Sequence, residues 1–171
     1  MKPPIVRLEK PADSAAIRRV TERAFRGQPY SSNTEASIIE ALRACDALSV
    51  SLVAEDDDDR IVGHIAFSPA IPSDAASGWY TLGPLSVDPD VQRRGIGSRL
   101  VTDGMAALRR RNASGCIVVG DPDYYLRFGF QLAPDVAADN CPREYFMVMV
   151  LDGSAPQSAI DFHRVFREYD H

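Results

Sequence analysis

The chain is short of the residues on which several common chemistries depend. It has three cysteines, Cys45, Cys116 and Cys141, an odd number without a C-x-x-C pair, so neither a disulfide framework nor a thiolate zinc site is expected. Its three histidines, His64, His163 and His171, show no metal-ligand spacing, and no metal is expected. Positive charge is also scarce. Nineteen Lys and Arg stand against 24 Asp and Glu, and the formal net charge of −5 argues against general affinity for nucleic acid or an anionic membrane surface. An anionic ligand would have to be caught by a local basic cluster. No run approaches the roughly 20 apolar residues of a membrane span, and Met1-Lys2-Pro3-Pro4 lacks the apolar core of a signal peptide. These absences predict a cytoplasmic protein.

What remains is an ordinary globular composition. At 171 residues and 45% hydrophobic content the chain suits one domain, 1–171, burying about two-thirds of the surface it exposes when unfolded. Residues 6–8 read as a first strand. Asp13 is placed to cap a helix with Ile17, Val20 and Ala24 on its apolar face. After a polar loop at 26–31, Ser32-Asn33-Thr34-Glu35 matches the S-x-x-E capping box ahead of Ile38, Ile39 and Leu42. Two β-branched stretches, 48–55 and 60–68, flank Asp56-Asp57-Asp58-Asp59 and predict a hairpin with a solvated turn. A loop at 69–78 follows, then a strand at 79–87, a helix at 97–111 and a short apolar strand at 115–119. A short helix at 124–128, a last strand at 144–151 and a helical tail at 160–169 complete the pattern. With no internal repeat and no long linker, the order predicts a mixed α/β sheet with helices on its faces.

The informative stretch is Leu85-Ser86-Val87-Asp88-Pro89-Asp90-Val91-Gln92-Arg93-Arg94-Gly95-Ile96-Gly97-Ser98. Here a strand ends, a loop turns and a helix begins. First-turn amides of a helix have no partners within it. Gly95 and Gly97 carry no Cβ, so an anion can approach the backbone closely, and Arg93 and Arg94 add positive charge. Two readings stand: a tight turn with solvated arginines, or a phosphate or diphosphate cradle. Rival anion motifs fit poorly. A P-loop needs a Gly-Lys pair, which the chain lacks. The dinucleotide fingerprint needs glycine where Leu100 stands and a tighter turn than residues 88–94 provide.

Gln92-Arg93-Arg94-Gly95-Ile96-Gly97 resembles the Q/R-x-x-G-x-G/A signature of the GNAT superfamily of N-acetyltransferases. Gly120-Asp121-Pro122-Asp123-Tyr124-Tyr125-Leu126-Arg127-Phe128-Gly129-Phe130 resembles its second signature, an aromatic pair before a Gly-Phe step. The two together are most similar to the YhbS-like branch. The resemblance implies a single N-acetyltransferase domain whose mostly antiparallel sheet splays between its fourth and fifth strands. It implies that acetyl-CoA is the co-substrate, its diphosphate held by Gln92, Arg93, Arg94, Gly95, Ile96, Gly97 and Ser98. Its pantetheine arm would pair with Leu85, Ser86 and Val87, as an extended peptide adds to a sheet edge. Gly83-Pro84 would distort that strand. An amine would attack the thioester directly, and Tyr125, four residues before Gly129, matches the tyrosine general acid.

The chain departs from the family where an asparagine often touches the cofactor after the fifth strand. The link here is only Gly120-Asp121-Pro122-Asp123, in which Asp121 either takes that role or caps the short helix. No Asp, Glu or His lies on the 79–87 strand to deprotonate an amine. His64, Glu35 and water are the candidates, with His64 also readable as a buried structural histidine. Three functions compete: an N-acetyltransferase acting on a small-molecule or protein amine as monomer or homodimer, a coenzyme A-binding sensor with little or no catalysis, and a nucleotide enzyme of another kind. The length of the acyl group and the acceptor are not encoded in these motifs.

Overall fold

The computed structural model describes residues 2–169; Met1 and His171, named above, lie outside them. The strands are β1 (Ile5–Leu8), β2 (Val50–Glu55), β3 (Ile61–Pro69), β4 (Ile71–Pro72), β5 (Trp79–Val87), β6 (Gly115–Val119), β7 (Gln131–Leu132), β8 (Phe146–Val150) and β9 (Ile160–Asp161). The helices are α1 (Ser14–Phe25), α2 (Glu35–Ala44), α3 (Ile96–Arg110), α4 (Pro122–Tyr125) and α5 (Arg164–Glu168). One sheet takes the order β1-β2-β3-β5-β6-β8-β7, and within it only the β5–β6 pair is parallel. This is the mixed α/β architecture expected from the sequence.

Strand alternation divides the side chains between two helical layers. Leu52, Ile65 and Phe67 join Leu100, Val101, Met105 and Leu108 of α3 in the main core. Their neighbours Val53 and Ala66 face the other way, against Ile17 of α1 and Ile39 of α2. The central strands are therefore covered on both sides. This explains why 50–54 is buried at every position, Ser51 included, and not at alternate ones. The β2–β3 hairpin turns through the aspartate run as expected. Asp56 accepts the N–H groups of Asp58 (2.9 Å) and Arg60 (3.0 Å), which fixes the turn.

Several local expectations do not survive. Asp13 stands at the N-cap position of α1 but its side chain does not cap it. The carboxylate instead receives the Lys10 N–H at 2.7 Å and the Arg7 guanidinium at 2.8 Å, and the Arg7 bond leads in holding it below the usual carboxylate range. The Ser32–Glu35 box does not form either. Asn33 sits at φ 62, which breaks its register; Ser32 Oγ turns to Thr34 Oγ1 (2.6 Å), and α2 begins only at Glu35. The expected 69–78 loop contains β4, which pairs with β9, so only Arg164–Glu168 of the tail is helical. The last long strand starts at Phe146 because Arg143–Tyr145 forms a 3-10 turn.

Candidate active site

Strand β5 is shared unequally between its neighbours. It pairs with β6 only where Trp79, Tyr80 and Thr81 meet Gly115, Cys116 and Ile117. Beyond that point Val118 and Val119 of β6 stay with Met147 and Phe146 of β8, while Leu82, Leu85, Ser86 and Val87 stay with β3. A wedge opens between the two strands, and among the described residues one edge of β5 is free of a strand partner through 82–87. In the same stretch the β3–β5 register shifts: β3 advances from Ile65 to Phe67 while β5 runs from Leu85 back to Leu82. The surplus residue is a β-bulge at Gly83-Pro84, and Leu82 and Leu85 on either side of it both pack towards α3.

The loop after β5 is braced from three directions. Asp88 caps the 3-10 turn Pro89–Val91 by accepting the Asp90 N–H at 2.9 Å. Arg23 of α1 reaches both Asp88 (3.2 Å) and Asp90 (3.1 Å). The Gln92 side-chain amide donates to the Val87 carbonyl at 3.0 Å, so that side chain closes the loop onto its own strand. Arg93 (φ 65) and Gly95 (φ 82) then turn the chain into α3. The first helical bond runs from the Arg99 N–H to the Gly95 carbonyl (3.0 Å), leaving the amides of Ile96, Gly97 and Ser98 ahead of it.

The two glycines serve different ends. A Cβ on Gly95 would meet nothing within 4 Å, so this glycine is required by its left-handed backbone, and the space over it is open. A Cβ on Gly97 would lie 2.7 Å from the Tyr124 hydroxyl. The backbone turns tightly at Gly95, and the segment carrying the aromatic pair crosses the start of α3 at Gly97.

That segment is held by Asp121, whose carboxylate accepts the Asp123 N–H at 3.0 Å and caps α4. Tyr125 is half-buried. Its ring lies where a Cβ on Gly120 would come within 2.5 Å, and its centroid is 5.0 Å from that of Tyr124 and 5.9 Å from that of Phe130. Burial, followed by the neighbouring Tyr124, Cys116 and Tyr30, raises its pKa well above the ordinary tyrosine value, so the hydroxyl keeps its proton.

The candidate bases differ in access. His64 is fully buried on β3, with Nε2 2.7 Å from Ser51 Oγ. Desolvation, then the positive Arg43, lowers its pKa to about 3, so the ring is neutral but sealed. The Glu35 carboxylate accepts the Ser31 hydroxyl at 2.6 Å and borders an open cavity of about 250 Å³, whose other walls include Thr21, Glu22 and Phe25. Sequence reading missed Arg23, whose partners lie 65 and 67 residues away and leave no local signal. It also passed over Arg127, although an arginine between aromatics inside a signature was a visible one.

Residues 47–132, from just before β2 to β7, match the acetyltransferase (GNAT) domain family. The chain belongs to the GNAT acetyltransferase family. It is 33% identical over 129 residues to the uncharacterised N-acetyltransferase YhbS of Escherichia coli, covering 75% of this chain and 74% of that protein. Its fold is similar to a GNAT acetyltransferase of Brucella melitensis solved in complex with acetyl-CoA, at TM-score 0.84 and 45% identity over 95% of this chain and 97% of the other. It is also similar to Escherichia coli YhbS solved with CoA, at TM-score 0.88 and 28% identity over 98% and 93%. As expected of a GNAT acyltransferase, the sheet is mostly antiparallel and splays at the β5–β6 pair. No described helix is long and apolar enough to cross a membrane, and no described cluster of His, Cys, Asp and Glu suits a metal ion.

Proposed function

We propose that the chain is a single-domain, acetyl-CoA-dependent N-acetyltransferase. The observation that carries this is the free edge of β5 in the wedge leading to the loop at the start of α3. An extended amide-rich arm is complementary to the first, and a diphosphate to the second. The acetyl-CoA and CoA held by the two similar proteins support the reading. Leu85, Ser86 and Val87 pair with the pantetheine arm. Arg93, Arg94, Gly95, Ile96, Gly97 and Ser98 receive the diphosphate, and Gln92, whose side chain is committed to Val87, contributes by holding the loop's shape.

In this mechanism a neutral amine attacks the thioester carbonyl carbon. A nitrogen–carbon bond forms, and the carbon–sulfur bond breaks as the tetrahedral centre collapses. A β5 main-chain amide near 85–87 stabilises the oxygen charge. Tyr125, kept protonated by burial, gives its proton to the departing thiolate, the ammonium proton leaves through water, and Tyr125 takes a proton back from the same solvent. The acceptor approaches through the cavity beside the α1–α2 loop, where Glu22 and Glu35 suit a cationic amine.

One observation favours a second reading, a coenzyme A-binding sensor with little catalysis: His64 is sealed, and Glu35 already accepts a hydrogen bond from Ser31. A melting experiment followed by an activity assay separates the two. A ligand at about 100 times its dissociation constant adds about 2.7 kcal/mol, which raises the melting point by several degrees. The shift is expected with coenzyme A or acetyl-CoA and not with NAD or ATP; the reverse pattern rejects the proposal. Thiol release on adding a panel of amines then tells enzyme from sensor.

A further inference from the structure

Arg127 follows α4 in the 3-10 turn Leu126–Phe128 and is exposed, yet its head group is held in place. Its Nη2 donates to Ser98 Oγ at 3.1 Å and its Nε to the Tyr124 carbonyl at 3.1 Å. The guanidinium lies 4.5 Å from the centroid of the Tyr124 ring and 5.0 Å from that of Phe128. None of these contacts is anionic. In this acidic chain Arg7, Arg18, Arg23 and Arg43 all pair with carboxylates, whereas Arg127 has no carboxylate partner among the described residues. The fork is fixed, but its charge is not neutralised.

Its position gives that charge a purpose. Ser98 is in the first turn of α3, next to Gly97, over which the Tyr124 hydroxyl lies. The aromatic ring that supports Arg127 is thus the one that closes over the start of the helix. Having accepted from Arg127, the Ser98 hydroxyl still has its own hydrogen to donate outward. Nη1 and the second Nη2 hydrogen of Arg127 are also free to donate to a phosphate oxygen, a pairing for which the planar guanidinium fork is well shaped.

We propose that Arg127, positioned by Ser98 and the Tyr124 ring, is a further cofactor-binding residue that grips the diphosphate of coenzyme A beside the loop amides. The proposal rests on the coenzyme A reading above and adds a second wall to that cradle, contributed by the second signature.

Isothermal titration of coenzyme A and of dephospho-coenzyme A into the wild type, Arg127→Gln and Arg127→Lys provides the test. Losing a charge-assisted contact is expected to weaken binding by about tenfold to a hundredfold. Arg127→Gln should lose that much for both ligands equally, because both carry the diphosphate, and Arg127→Lys should recover part of it. A wild-type dissociation constant retained in Arg127→Gln overturns the proposal, even if the variant's own melting point falls, since the arginine would then serve only to pack the aromatic turn. A loss confined to coenzyme A overturns it too, by moving the contact to the 3′-phosphate. If the wild type binds neither ligand, the coenzyme A reading itself fails.

Discussion

His64 Nε2 and Ser51 Oγ lie 2.7 Å apart across the β2–β3 ladder, and His64 Nδ1 finds no partner among the described residues. The ring gains one bond and is otherwise desolvated, which lowers its pKa from 6.5 to about 3. A histidine held neutral in the native state contributes stability that is fully present above its unfolded pKa and declines as pH falls below it, because only the unfolded chain takes up the proton. Stability should therefore fall by about 1 kcal/mol per pH unit between about pH 6 and pH 4 from this group alone. His64→Gln should be less stable at pH 7 but lose less on acidification. Urea unfolding across that range measures both, and parallel profiles for the two proteins would refute the assignment.

Tyr125→Phe removes a hydroxyl and leaves the ring against Gly120, Tyr124 and Phe130. Thiol release should slow by about a hundredfold or more, within the usual range for a general acid, while the dissociation constant for coenzyme A changes little. Because its pKa is raised, the hydroxyl stays protonated through neutral and mildly alkaline pH, so the wild-type rate should show no loss of an acid there. Unchanged turnover in the variant would remove Tyr125 from the mechanism.

Alanine at the two glycines of the loop should give different defects. Gly95→Ala meets open space but must hold φ 82, a left-handed geometry that costs a non-glycine residue about 1–2 kcal/mol, so the apo protein should melt at a lower temperature. Gly97→Ala has an ordinary helical backbone but drives a methyl group into the Tyr124 hydroxyl. Its main cost should appear as weaker coenzyme A binding, as Tyr124 and the Arg127 stacked on it are displaced. Melting and titration of both variants would show whether the two roles are separate; identical defects would mean they are not.

The long elements were legible in the sequence because their hydrophobic patterns are local. Ile96, Leu100, Val101, Met105 and Leu108 mark α3, and Val50 to Glu55 with Ile61 to Pro69 mark the hairpin. The loop between β5 and α3 was legible because glycines and arginines are rare company before an apolar helix face. Short elements were not, since β4 and β9 are two residues each and exist through pairing between segments far apart in the chain. The failed caps show another limit. Asp13 and Ser32 are residue types that cap helices, but Arg7 and the left-handed Asn33 redirect them, and neither competitor is visible in the capping pattern itself. For the proposed cradle, the signature loop marked one wall, while Arg127 stood in plain sight inside a motif read for its aromatics.

The bulge at Gly83-Pro84 is not something the core demands. If one of those two residues were cut out, an uninterrupted pleat would still present Leu82, Leu85 and Val87 to α3 and Ser86 to the opposite layer. Packing is therefore indifferent to the additional link. Its effect falls on the main chain along the open flank of β5, where it alters the spacing of carbonyls and amides just as the strand leaves β6. The protein thus carries a residue whose worth lies outside its hydrophobic interior, at the seam where an acyl donor would thread.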